Sequence, residues 1–214
     1  MSPRPKTDHL RKPQIVAAAA EVLYERGLFD TRVGDIAERA GTSAGTIMYY
    51  FESKDRLLEE AVDHTDQQFY ERVSEGLEEH DSAGAKLVHL VEETSLGPGG
   101  LTDWTLWMEI WVRVRRSPEL RASYPRLDRR QRGLIERIVR EGQESGEFEG
   151  EVDPGDVALG LSALMDGLGV QLTLGQPDVT RERMVDRCLA MASRELGCEL
   201  RRNGRVPAQR GGTG

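Results

Sequence analysis

The chain has 214 residues, 38% of them hydrophobic and 31% charged, with a net charge of −8 at pH 7. That is enough for one large or two modest domains with a substantial core. No apolar run approaches the ~20 residues of a membrane span and no signal-peptide core opens the chain, so a cytoplasmic protein without membrane contact is expected. The acidic balance argues against a general nucleic-acid binder, and Cys188 and Cys198 are expected to be reduced thiols.

The charge is unevenly spread. Residues 1–57 hold 9 Lys/Arg and 8 Asp/Glu, whereas residues 58–214 hold 20 and 29. Arg4, Lys6, Arg11 and Lys12 make the N-terminal arm the most basic part. Only this quarter of the chain suits a polyanion, although basic arms are often just solvated.

In chain order the pattern is helical nearly throughout. Ile15, Ala18, Ala19, Val22 and Leu23 form one buried face at helical spacing, closed by Gly27. Val33, Ile36, Ala37 and Ala40 form a second, shorter stripe that stops at Gly41. Ser43 is placed to cap a third helix of about two turns, and Ser53 a long fourth one carrying Leu57, Leu58, Ala61, Val62 and Phe69. Further helices are expected near 84–94, 102–116, 119–144, 154–174 and 180–196, separated by Gly, Pro and Ser clusters. The tail from Gly197 is rich in Gly, Arg and Pro and reads as disordered. The expectation is an all-α protein: three short helices, then about six more.

Two short helices joined by a glycine-containing turn make a helix-turn-helix. In the third helix, at ~100° per residue, Ile47 and Phe51 point together toward the second helix. Gly45, Thr46 and Tyr49 then face away, with Met48 and Tyr50 on the flanks. A solvated face would carry Lys or Glu; this one carries hydroxyls, an apolar group and a glycine that permits close backbone approach, all suited to a major groove. The alternative is that the tyrosines pack on a neighbouring helix.

The segment GLFDTRVGDIAERAGTSAGTIMYYFESKDRLLEEAV resembles the DNA-binding segment of TetR-family repressors. Gly27, Thr31, Ile36, Ala37, Ala40, Gly41, Ser43, Gly45, Tyr50, Phe51, Lys54 and Leu57 fit the family pattern in register. The resemblance implies a homodimer with a head at 1–53, an effector-binding and dimerisation body at 54–196, and a tail at 197–214. It implies recognition roles for Thr42, Ser43, Ala44, Gly45, Thr46, Met48 and Tyr49, and phosphate contacts from Tyr50 and Lys54. Thr31 and Arg32 match the start of the second helix, which in the family meets the DNA backbone. Arg32 stands where threonine or serine is frequent, and Met48 where tyrosine is frequent. Met48 is therefore expected to touch a thymine methyl.

In the body, Trp104, Trp107 and Trp111 share one helix face at i, i+3 and i+7. They are either core or, with Met108 and Tyr124, the wall of an effector cavity. The run from Trp107 to Arg116, Ser117-Pro118-Glu119-Leu120 and Leu164-Met165-Asp166-Gly167-Leu168 resembles a subgroup that includes the choline-responsive repressors. That resemblance implies a cationic or aromatic effector, held by the tryptophans and a carboxylate such as Glu109 or Asp166. The stretch 157–172 is apolar on more than one face and contains Gly160, Gly167 and Gly169. It is either a central core helix or, with 180–196, a four-helix dimer interface.

Enzymatic readings find no support in the sequence. His9, His64, His80 and His89 lack metal-ligand spacing, Gly97-Pro98-Gly99-Gly100 lacks the rest of a phosphate loop, and no nucleophile elbow or cofactor motif appears. The reading is a repressor that binds a palindromic stretch of double-stranded operator DNA as a dimer and is released by a small molecule. The alternative is a helical small-molecule-binding protein that does not use its head.

Overall fold

A computed structural model describes residues 8–96 and 104–202. Among these, nine α-helices and no strand are present: α1 (Asp8–Asp30), α2 (Val33–Arg39), α3 (Ala44–Phe51), α4 (Lys54–Leu77), α5 (Ala83–Leu96), α6 (Trp104–Val114), α7 (Pro118–Ser145), α8 (Pro154–Thr173) and α9 (Arg181–Leu196). The expected helices all occur, with ends moved by a residue or two, except that α1 starts early enough to include Arg11 and Lys12. Those two cations are helical rather than part of an arm. Arg4, Lys6 and the loop Gly97–Gly100 lie outside the described residues.

The chain divides into two compact units, Met1–Glu75 with Leu96–Gln131, and Gly76–Ser95 with Arg132–Gly214. The division falls within α4, at the end of α5 and within α7.

In the first unit, local chemistry fixes the short helices. Gly27 has φ 76° and ψ 173°, which interrupts α1, and the Thr31 hydroxyl bonds the Gly27 carbonyl at 2.6 Å to close the corner. After α2, Gly41 takes φ 60°. This lets Thr42 N–H reach the Ala37 carbonyl at 2.9 Å and Gly41 N–H reach the Glu38 carbonyl at 3.2 Å. That paired pattern needs a left-handed residue, hence glycine. Ser43 then caps α3, its Oγ accepting from Thr46 N–H at 3.1 Å, and Ser53 caps α4 from Arg56 N–H at 3.1 Å.

Ile15, Val22, Leu23, Ile36, Ile47, Phe51, Leu57 and Leu58 are buried in one cluster, which also takes in Leu106 and Ile110 of α6 and Leu127 of α7. The helix-turn-helix therefore has no private core. It is packed on α6 and on the start of α7.

In the second unit, Asp153 caps α8 from Gly155 N–H at 2.7 Å, and Thr180 caps α9 from Arg183 N–H at 3.2 Å. A Cβ at Gly160 would sit 2.7 Å from Met191 Cε, so α8 and α9 approach closely there. Leu159 of α8 and Leu174 just after it are left exposed. The beginning of the expected tail is held: Leu200 N–H bonds Ser193 Oγ at 3.0 Å, and Arg202 pairs with Glu92 at 3.4 Å. Residues 203–214 lie outside the described residues.

Candidate nucleic-acid interface

The candidate interface is built on α3, whose eight residues have two jobs. Ile47 and Phe51 are buried and fasten the helix to the core. On the other side Ala44, Gly45, Met48 and Tyr49 are exposed, Tyr49 most of all at 70% and Met48 at 40%. An added Cβ at Gly45 would meet only Ser43 Oγ, at 3.8 Å, so nothing obstructs this end of the helix. The rings of Tyr49 and Tyr50 meet edge to face, centroids 5.5 Å apart, which orients the exposed ring against one that packs on the core.

The sequence-expected contacts do not all lie on this surface. Thr42, Ser43 and Thr46 line the turn, with Ser43 Oγ and Thr46 Oγ1 sharing a 2.9 Å hydrogen bond. Lys54 is half-buried at the first position of α4. Arg32 is exposed at the head of α2 and makes no capping bond, so its charge is free to meet a phosphate. Thr31 differs: it is 0% exposed and its hydroxyl is engaged by the Gly27 carbonyl. Thr31 therefore shapes the α1–α2 corner rather than the surface.

The position of α2 is braced by ion pairs. Arg39 bonds Glu21 at 2.9 Å and Glu25 at 2.7 Å, and Arg26 bonds Asp35 at 2.9 Å. The hydrogen bond from Arg39 holds the Glu25 carboxyl below the usual carboxylate range. Sequence reading missed Lys12, whose ammonium lies 5.2 Å from the Phe51 ring centroid while pairing with Glu60 at 2.7 Å. Adjacent positive charge in the sequence gave no hint of that packing role.

Residues 15–61 match the family described as bacterial regulatory proteins, tetR family, and residues 83–197 match the BetI-type transcriptional repressor C-terminal family. The chain belongs to the TetR family. It is 30% identical over 186 residues to the HTH-type transcriptional regulator BetI of Escherichia coli, covering 83% of this chain and 91% of that one. It is 32% identical over 142 residues to the fatty acid metabolism regulator protein of Bacillus subtilis, 65% and 72% of the two chains. A transcriptional regulator from Saccharomonospora viridis, solved in complex with choline, superposes with a TM-score of 0.72 at 31% identity over 84% and 94%. These relatives are transcriptional regulators.

In this TetR-family chain the tryptophan face of α6 is divided. Trp104 is buried, and its Nε1 has no hydrogen-bond partner among the described residues. Trp107 is half-buried against the head core. Trp111 Nε1 donates to the Tyr124 hydroxyl at 2.9 Å, so these two expected wall residues do meet. Met108 is half-buried. Asp166 sits on α8, in the other compact unit. Glu109 is engaged within the first unit. Its Oε2 accepts from Leu28 N–H at 2.5 Å, at the interrupted end of α1. A free N–H beside a glycine break draws the carboxylate to the head.

Of the histidines, His80 and His89 have ring centroids 5.0 Å apart, but no group of three metal-ligating side chains occurs among the described residues. Cys188 and Cys198 are free, and burial pushes the Cys188 thiol up to about 12. No described helix is long and apolar enough to cross a membrane.

Proposed function

We propose that this protein is a dimeric, ligand-responsive repressor. Residues 1–53 read a palindromic operator, and residues 54–196 bind the effector and form the dimer. The observation that carries this reading is α3: anchored by Ile47 and Phe51, it leaves Met48 and Tyr49 exposed on its outer face. Exposed large side chains on a rigid helix beside Arg32 and Lys54 suit base edges flanked by phosphates. The exposed Leu159 of α8 and Leu174 at its C-cap supply apolar surface for a second copy, which would place two α3 helices in successive major grooves.

For the effector, we favour a cationic ligand against the α6–α7 aromatics Trp104, Trp107, Trp111 and Tyr124, with Met108 beside them. The choline complex of the S. viridis relative supports this class, and the B. subtilis relative makes a fatty-acid-derived ligand the competitor. Cation–π attraction of about 0.5–2 kcal/mol per ring favours a quaternary ammonium. Selecting genomic DNA bound by the protein tests the repressor reading, which requires a preferred palindrome lost on Tyr49→Ala. Calorimetry with choline against a long-chain fatty acid tests the effector class. Heat from the fatty acid alone would reject the cation.

A further inference from the structure

This acidic chain carries, between α6 and the middle of α7, a strongly basic stretch that the reading head does not use. Between 113 and 132 stand eight arginines against Glu119 and Asp128. Several hold the first unit together: Arg113 pairs with Asp55, and Arg126 and Arg130 pair with Asp63 and Asp66. Arg115 and Arg116, in the turn between α6 and α7, are exposed, and their side chains engage no group among the described residues.

The ion pairs fix where that turn lies. Arg126 meets Asp63 at 3.1 Å, while Arg130 bridges Asp63 at 2.8 Å and Asp66 at 2.7 Å, so numbers rise together and α7 runs parallel to α4. Counting back along both helices by the same ~12 Å, at ~1.5 Å per residue, brings Pro118 level with Asp55. The Arg113–Asp55 pair ties the end of α6 to the same level. Arg115 and Arg116 therefore sit at the end of the unit that holds Lys54 and the last turn of α3. Arg121 makes the turn rigid, donating to the Arg115 carbonyl at 2.6 Å and the Val114 carbonyl at 3.4 Å.

We infer that Arg115 and Arg116 form a second phosphate-binding patch, gripping the DNA backbone beside the bases that α3 reads. The inference rests on the reading of α3 as the DNA-binding helix. Two guanidiniums on an open, pinned turn offer bidentate forks but no enclosing walls. That suits a polyanion already held in place by neighbouring contacts rather than a free small anion. It also gives a chain of net charge −8 local attraction where its bulk would repel DNA.

The test compares operator affinity against salt for wild type, R115Q/R116Q and R115K/R116K, using the full chain. Each phosphate contact contributes about 0.9 to the slope of log K against log salt. Losing four such contacts in a dimer should make the R115Q/R116Q slope shallower by roughly 3 to 4, with at least tenfold weaker binding near 0.1 M salt. Sequence preference should not change, and R115K/R116K should keep most of the slope. An unchanged slope in R115Q/R116Q, or a loss confined to some sequences, overturns the patch. So does unchanged DNA binding with a lost ligand response, which would assign the arginines to the effector. A wild-type protein without operator binding would instead overturn the reading of α3, and shows as a flat wild-type curve.

Discussion

Helices α3 and α6 both carry clusters of large aromatic residues and treat them in opposite ways. In α3 the aliphatic and phenyl groups Ile47 and Phe51 are buried, and Tyr49 is thrown outward. In α6, Trp104 is buried, Trp107 rests against the head core, and Trp111 is tied to Tyr124. Aromatic spacing alone does not distinguish a contact surface from a support. The distinction lies in what the opposite side of the helix offers. A helix of two turns already fastened by two buried residues can leave the rest to a partner. One whose opposite side also touches the head, through Leu106, Ile110 and Glu109, becomes a strut.

That contrast can be broken first at the anchor. Phe51→Ala removes a fully packed ring and should cost about 3–5 kcal/mol, enough to unfold the head. Denaturant titration should show the loss, with operator binding lost in parallel. A midpoint within experimental error of wild type would mean that α3 is not held as described. On the strut, Glu109→Ala leaves Leu28 N–H without its acceptor and should cost about 1.5–3 kcal/mol, while Glu109→Gln keeps an acceptor and should recover about half. Equal losses in the two variants would show that the hydrogen bond is not what joins α6 to α1.

Tyr49→Ala sharpens the comparison from the other side. At 70% exposure its removal should leave the melting midpoint within error of wild type. Operator affinity should nonetheless fall about 10- to 100-fold, the scale of one good base or phosphate contact repeated in two subunits. A drop in stability without a drop in affinity would turn Tyr49 into a packing residue like Trp107.

The sequence made α3 legible because every force that places it is local. Ser43 caps three residues ahead, the Gly41 turn ends α2 through bonds reaching three and five residues back, and the 3.6 period aims Ile47 and Phe51. The bond from Leu28 N–H to Glu109 was not legible, because the partners lie 81 positions apart and helical periodicity carries no information about such pairs. The bond made by Thr31 was hidden for a related reason. A threonine before a helix serves equally as a cap or as a corner bolt, and only the φ of Gly27 decides between them. Arg11 and Lys12 were placed in the expected arm, whereas α1 runs through them and takes Pro13 inside the helix.

The α4–α7 brace that levels α6 with the head offers a smaller, pH-dependent test. Burial lifts the Asp66 carboxyl to about 6, against the pull of Arg130. The ordinary value is near 4, so between those limits the folded protein holds a proton that the unfolded chain has released. Stability should therefore fall as pH rises from 4 to 6, by at most about 1.4 kcal/mol per unit, and be flat in this respect above 6. Subtracting the profile of Asp66→Asn cancels the other carboxylates. A flat difference would show that Arg130 offsets the burial completely.

The smallest effect separates Met48 from Tyr49 within the exposed face itself. At 40% exposure Met48 stands on the flank, with no donor and a flexible, polarizable tip. The group it suits in the major groove is the thymine methyl, the one apolar feature that a base pair presents there. Replacing thymine by uracil across the operator should weaken wild-type binding only a few-fold, about 0.5–1 kcal/mol for a buried methyl. The same exchange should leave Met48→Ala almost unaffected, because the apolar partner is already gone. If uracil weakens both proteins equally, the methyl is read elsewhere, and the apolar flank of α3 does not contribute to operator choice.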